Sequence, residues 1–365
     1  MRRAEIAGAG FAGLAAAAAL ARKGWSVRVH EMADAPRSFG AGIYVYNFAQ
    51  DVLRRIGAFD DFLAGSFVPA SRTIFLNGQA RSTTPSEGLY RTTTRAILHR
   101  AVLDAAVAAG VEIATQSRAT GADPAGVLVM EDGRRLPADL VVAADGVRSA
   151  IAQQMGMALH RVQHKDGITR VLLDRAELRG PAGDGIADHY VYGRRNLRVL
   201  YSPCGPDAFY FCLMAPASDA EAAAVPIDTA LWASHFPSLA PALRRIGAAG
   251  RHDRYTTTTL QHWSSGRVAV IGDAAHAMPS SLGQGAGVSM LNAVAMADSV
   301  ADAPDVPAGL AAWESKLRPI VEQWQRRAEA VAIGRNLSDA VHPGEDLPAE
   351  RPDSIPIRAL PETAS

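Results

Sequence analysis

The stretch Arg3-Ala4-Glu5-Ile6-Ala7 runs straight into Gly8-Ala9-Gly10-Phe11-Ala12-Gly13, and Glu31 closes the next apolar segment, Ser26 to His30. A short strand, a glycine turn and an acid ending the following strand form a dinucleotide-binding fingerprint in its expected context. The first glycine permits the tight turn. The second lets backbone approach a pyrophosphate, and the third lets a helix over residues 12–23 pack closely on the sheet. Unpaired N–H groups at that helix start are suited to phosphate. Glu31 is placed to accept hydrogen bonds from an adenosine ribose, and an acid there disfavours a 2′-phosphate. The segment therefore points to FAD or NAD.

Met1-Arg2-Arg3 before an alanine-rich run also has the outline of a secretory signal. A cleaved signal has no need of three glycines in fingerprint register, a following strand, or an acid at its end. No later run approaches the roughly 20 apolar residues of a membrane span, so the expected location is cytoplasmic. At 365 residues and 48% apolar composition, the chain can build two units with an extensive core. Lys plus Arg (37) balances Asp plus Glu (37), so no global field recruits nucleic acid or anionic lipid. The two cysteines, Cys204 and Cys212, read as reduced, partly buried thiols in preference to a redox pair. No Cys/His spacing reads as a metal site.

Along the chain, the first unit is interrupted and resumed. A helical stretch from Asn47 to Ile56 precedes a strand, Thr73 to Leu76, turned at Asn77-Gly78. Thr94 is placed to cap a helix from Arg95 to Ala109. Strands resume at Val111 to Thr115, and a hairpin of Val127 to Met130 with Leu136 to Ala143 turns at Asp132-Gly133. From Val162 to about Leu260 irregular strands with several aromatics indicate a second, mainly β unit. Strand Arg267 to Ile271 then returns to the first pattern, and helices from about Gly285 finish the chain. The fold class expected is α/β, a Rossmann-type unit with an inserted mainly β domain and C-terminal helices. Its cofactor unit is discontinuous (1–66, 90–160 and 265–340), with 67–89 and 161–264 as substrate unit and 341–365 as a loosely ordered tail.

Two strand ends narrow the cofactor. Leu140-Val141-Val142-Ala143-Ala144-Asp145-Gly146 and Val268-Ala269-Val270-Ile271-Gly272-Asp273 both finish in acids, and carboxyl ends of such strands face the ligand crevice of an open α/β sheet. Either acid alone is more often a cap or turn former. With the fingerprint and with Pro279-Ser280-Ser281-Leu282-Gly283-Gln284-Gly285-Ala286-Gly287, their order resembles the single-component flavoprotein aromatic hydroxylases, the p-hydroxybenzoate hydroxylase family, from Arg3 to about Asn336. The resemblance implies FAD, reduced by NADH or NADPH, with O2 as co-substrate and oxygen delivered through a flavin C4a-hydroperoxide. It implies cofactor contacts from Gly8, Gly10, Phe11, Ala12, Gly13, Glu31, Arg37, Arg95, Asp145, Gly272, Asp273, Gly283, Gly285, Ala286 and Gly287.

Stretches such as Leu200-Tyr201-Ser202-Pro203-Cys204 and Leu213-Met214-Ala215-Pro216 resemble the pyridine-ring branch of that family. By these anchors Arg198, Tyr210 and Tyr255 fall on substrate-contacting positions. The resemblance implies these three and Pro279 as the catalytic residues, with Tyr44 and Arg72 completing the substrate pocket. Arg198 suits an anionic group through its fork of donors, and the tyrosines suit a ring oxygen. Arg72 stands where that branch carries a tyrosine, which should change the acid or ring substituent accepted. His276 and His99 read as packing or hydrogen-bonding residues.

The implied activity is hydroxylation, with ring opening left open, of a carboxylated hydroxypyridine or similar hydroxyaromatic acid. The alternative is a flavoprotein reductase or dehydrogenase without oxygen insertion. The expected partner is that small acid, with no nucleic acid and no membrane, and a homodimer is left open.

Overall fold

The computed structural model describes residues 1–36, 41–175, 183–246 and 250–334. Arg37 and the tail from 341 lie outside the described residues. The fingerprint folds as read. Strands Arg3–Ala7 and Ser26–His30 pair in parallel, joined by helix Phe11–Arg22, and Leu140–Ala143 and Val268–Val270 continue the sheet on the other side. Strand Glu112–Ala114 closes one edge, and Ser264–Ser265 runs antiparallel at the other. Ala4, Ile6, Leu140, Val141, Val142 and Val268 are fully buried, because both faces are covered, with Ala122, Leu128 and Met130 of a small antiparallel sheet in the same core, and no solvated side is left for alternation.

Leu140–Ala143 is therefore a parallel strand of this sheet. The hairpin arm is shorter than its sequence reading: only Arg135–Pro137 pairs with Val127–Met130. Pro137 lacks the N–H a ladder needs, and the apolar run beyond it gains more by burial between two strands.

Seven strands form the second sheet, in the order His252–Leu260, Ala158–Asp174, Ala208–Pro216, Leu197–Cys204, Ile186–Val191, Ser71–Leu76 and Gln79–Pro85. Its two faces separate by the period of two. Ala187, Val199, Tyr201, Phe209, Phe211 and Leu213 point one way and build a core with Trp232, Phe236, Leu239 and Leu243 from the short helices over 229–243. Alternate positions, Asp188, Arg198, Leu200, Tyr210, Cys212 and Met214, occupy the other face, towards the first unit. Helices Gly285–Asp302 and Val306–Gly334 then pack along the first unit.

His189, on the covered face, stacks on Phe75 at 4.2 Å and meets Phe236 edge-on at 6.3 Å. Burial pushes its pKa down to about 4, against the pull of neighbouring Asp188. In the unfolded chain it titrates near 6.5, so between those values the unfolded state holds more protons. Its contribution to stability is complete above about pH 6.5 and is lost as pH falls towards 4. His189→Phe should flatten the fall in melting temperature over that window; an unchanged slope would assign the acid sensitivity elsewhere.

Candidate active site

A cavity of about 900 Å³ lies between the two units. One end is the fingerprint turn. Gly8, at φ +103°, sits so close to the chain that a Cβ there would lie 2.3 Å from the Ala144 carbonyl oxygen. A Cβ on Gly13 would lie 2.0 Å from the Gly8 oxygen. A Cβ on Gly10, by contrast, would meet nothing within 4 Å. Two glycines thus serve packing, and the third opens onto the cavity at the start of helix Phe11–Arg22, where N–H groups are unpaired. This is a cradle of the right chemistry for a pyrophosphate.

Arg95 lines the same end, 4.9 Å over the Phe11 ring, and no carboxylate pairs with it among the described residues. Burial and the nearby Arg170 lower its pKa below that of a free guanidinium, so an anion placed beside it would be favoured. His99 holds the turn by a 2.8 Å hydrogen bond with the Ala9 carbonyl, a supporting role as read. Asp273 is exposed to the cavity, after a Gly272 whose Cβ would press on Ala12 at 2.7 Å.

Opposite lies the 278–287 loop. Gly283 turns in the left-handed region at φ +67°, and helix Gly285–Asp302 begins immediately after Gln284 without a side-chain cap. Gly285 and Ala286 face the cavity, so the first N–H groups of an 18-residue helix point at it. Gly287 packs instead on Ala49 and Phe48, where a Cβ would approach to 3.1 Å.

Several sequence-derived residues lie beside the cavity lining. Glu31 accepts hydrogen bonds from the amides of Ala9 (3.1 Å) and Ala33 (2.9 Å), which orients its carboxylate at the strand end. Asp145 Oδ2 accepts from the amides of Ala150 (2.9 Å) and Ile151 (3.3 Å), capping the next helix, while its Oδ1 is buried without a partner. Pro279 is buried between Met278 and Ser280, which do line the cavity. Pro279 itself is not among the residues that line the cavity.

The third wall is the inner face of the seven-stranded sheet, which brings Arg198, Tyr210, Tyr255 and Arg72 together, and Tyr44 joins them from strand Gly42–Tyr46, which pairs with Tyr90–Thr94 in a separate two-stranded sheet. Tyr210 is held from behind by Gly42: a Cβ there would sit 2.3 Å from Tyr210 Cγ. Gly42→Ala should therefore displace the phenol and weaken ligand binding by about tenfold with FAD retained, since overpacking of this size costs about 1–3 kcal/mol; equal affinity in a ligand titration would separate Tyr210 from the site. Burial raises the pKa of Tyr210 and Tyr44 well above the ordinary phenol, and that of Tyr255 to about 12. All three remain protonated donors at neutral pH. Burial likewise raises the Cys212 thiol to about 11, and both cysteines are free and buried, as read.

Asp188 is the residue that sequence reasoning missed. Fully buried, it accepts from Arg198 Nε (2.7 Å) and Nη2 (2.9 Å) and pairs with Arg72 Nη2. Burial alone would raise its pKa, but the Arg198 and Arg72 guanidinium groups hold it well below the ordinary carboxylate range. The available signal was an acid inside the strand Ile186-Ala187-Asp188-His189-Tyr190-Val191, because a buried charge requires a partner. Arg170, paired with Asp253 at 3.1 Å and donating to Ser280 Oγ at 3.0 Å, was missed as well.

Residues 3–328 match the family described as FAD binding domain. A putative 2-heptyl-3-hydroxy-4(1H)-quinolone synthase of Rhodococcus erythropolis is 39% identical over 342 residues, 92% of this chain and 89% of that protein. The 2-heptyl-3-hydroxy-4(1H)-quinolone synthase of Mycobacteroides abscessus is 39% identical over 329 residues, 88% of each. Among solved structures, 2-methyl-3-hydroxypyridine-5-carboxylic acid oxygenase superposes with TM-score 0.89 at 42% identity, covering 93% of both chains. No described helix is long and apolar enough to cross a membrane. With the open glycine cradle, Arg95 beside it and the helix start at Gly285, these likenesses establish that the chain belongs to the FAD-binding, p-hydroxybenzoate hydroxylase-like family and is an FAD-dependent aromatic monooxygenase.

Proposed function

We propose that this monooxygenase takes its electrons from NADH or NADPH and hydroxylates a carboxylated hydroxypyridine or a similar hydroxyaromatic monoanion. The observation that carries this reading is the inner wall of the cavity, where two arginines share one buried carboxylate beside three protonated tyrosines. The Arg72, Arg198 and Asp188 cluster holds one surplus positive charge, with several ring-oxygen donors beside it. A neutral quinolone, the class in the names of two relatives, would leave that charge uncompensated in a desolvated chamber.

When bound, FAD supplies the redox chemistry, accepting hydride from a nicotinamide and activating O2 for transfer to the ring. The chain's own residues hold and orient. The Gly10 turn and Arg95 suit the pyrophosphate, and the first amides of helix Gly285–Asp302 suit negative charge on a reduced isoalloxazine. Tyr44, Tyr210 and Tyr255 donate to oxygen substituents on the substrate ring, fixing which carbon faces the flavin. The apolar wall of Ile168, Ile186, Leu200 and Met214 keeps water from that face.

The test is NADH and NADPH oxidation with simultaneous O2 uptake by the flavin-loaded protein, across hydroxypyridine acids, hydroxybenzoates and a 2-alkyl-4-quinolone. Stimulation of both rates by an acid, with hydroxylated product, is expected. Stimulation by the quinolone alone would replace the substrate class. Turnover with an artificial acceptor but no product oxygen would favour a reductase.

A further inference from the structure

The register of the seven-stranded sheet explains how three charges meet. Asp188 stands opposite Leu200 on one neighbouring strand and Ile74 on the other. Arg198 and Arg72 are each two residues before those positions, so all three side chains emerge on the same face, on adjacent strands. Asp188 takes both N–H groups of the Arg198 fork, from Nε and Nη2. Arg198 keeps only Nη1 unspent on oxygen, 3.6 Å from Met214 Sδ, with its guanidinium 5.0 Å over the Tyr190 ring. Arg72 spends Nη2 on the same carboxylate, and its Nε is buried without a hydrogen bond among the described residues.

We propose that Asp188 is a specificity-determining residue, which sets the cluster at a single net positive charge and leaves it end-on donors, so that the site selects substrates carrying one negative charge. This rests on the functional reading above and deepens it. A monoanion neutralises the cluster. A dianion brings one charge too many, a neutral ring leaves one unpaired, and both carry a desolvation penalty in a buried chamber. In the second charged group on the wall, Arg170 (25% side-chain exposure) and Arg251 (61%) surround an Asp253 that is 32% exposed, whereas Asp188 is fully buried and Arg198 is 5% exposed. Water and salt screen it, so it discriminates less.

The experiment uses FAD-loaded protein without NAD(P)H and reads binding from the change in flavin absorbance. The ligands are a size-matched hydroxybenzamide, hydroxybenzoate and hydroxyphthalate, carrying none, one and two negative charges. The parent protein should bind the monoanion at least about tenfold more tightly than either other ligand, a 1.4 kcal/mol margin. Asp188→Asn, which raises the cluster by one charge, should move the preference towards the dianion. Arg72→Gln, on the half-exposed arm, lowers it by one and should move the preference towards the neutral amide; this variant keeps the test alive if Asp188→Asn fails to fold.

Opposite movement of the two variants is the result a merely structural role would not produce. A parent protein that binds none of the three or favours the dianion, or an Arg72→Gln variant with unchanged ranking, overturns the proposal. Intact ranking without hydroxylation in the turnover assay would instead sink the functional reading alone.

Discussion

Gly10→Ala is expected to fold normally and to lose its cofactor. The Gly10 backbone, at φ −79° and ψ −178°, is open to any residue, and its added Cβ would touch nothing within 4 Å in the protein itself. Unfolding of the FAD-free variant should therefore stay within about 0.5 kcal/mol of the parent, as for an unconstrained surface change. The methyl group would instead occupy the space through which a pyrophosphate approaches the helix start. A loss of about 100-fold in FAD affinity, near 3 kcal/mol, is expected by equilibrium titration. Gly13→Ala is the contrast. Its Cβ would stand 2.0 Å from the Gly8 oxygen, a backbone atom that cannot swing away. That variant should be destabilised by about 3 kcal/mol or more before any cofactor is added. Equal FAD affinity in Gly10→Ala would remove the pyrophosphate from this turn.

Arg198→Met carries the second large effect, on two observables at once. Arg198 is 4% exposed and supplies two of the hydrogen bonds to fully buried Asp188. Its removal leaves that carboxylate on Arg72 and the distant Tyr190 hydroxyl, 3.4 Å away. Breaking a buried ion pair from one side costs about 3–5 kcal/mol, and because Arg72 remains, the lower end is expected for folding. Substrate affinity should fall by about 100-fold through loss of the positive charge, while the flavin content of the purified protein is unchanged. Unchanged affinity would take Arg198 out of the site; loss of flavin would show that the sheet wall and the cofactor cradle are not separable.

The legibility of the molecule divides along the range of the physics involved. Strands Arg3–Ala7 and Ser26–His30 and the Thr94 cap, which accepts from the Ile97 amide at 3.2 Å, were readable because glycine geometry, caps and apolar runs act locally. The tyrosines and Arg198 were legible only through resemblance, since nothing local distinguishes a pocket tyrosine from a core one. Asp188 stayed hidden for a related reason. Its partners lie 10 and 116 positions away and are chosen by strand register. Asp145 shows the opposite limit. The acid was seen, but its Oδ2 serves the following helix as a cap, the ordinary use of an acid at a strand end. Pro279 lies between Met278 and Ser280, which line the cavity, and a loop's motif does not say which of its side chains turns inward.

The most direct test of the account is incorporation of isotopic oxygen. The flavin-loaded protein, supplied with NADH, labelled O2 in unlabelled water and a hydroxypyridine monocarboxylate, should return product carrying one labelled oxygen per NADH consumed, the other atom of O2 leaving as water; where the ring opens, the second added oxygen should be unlabelled and come from water. Product carrying no labelled oxygen, or NADH oxidised with all labelled oxygen recovered as peroxide across every acid offered, would contradict it.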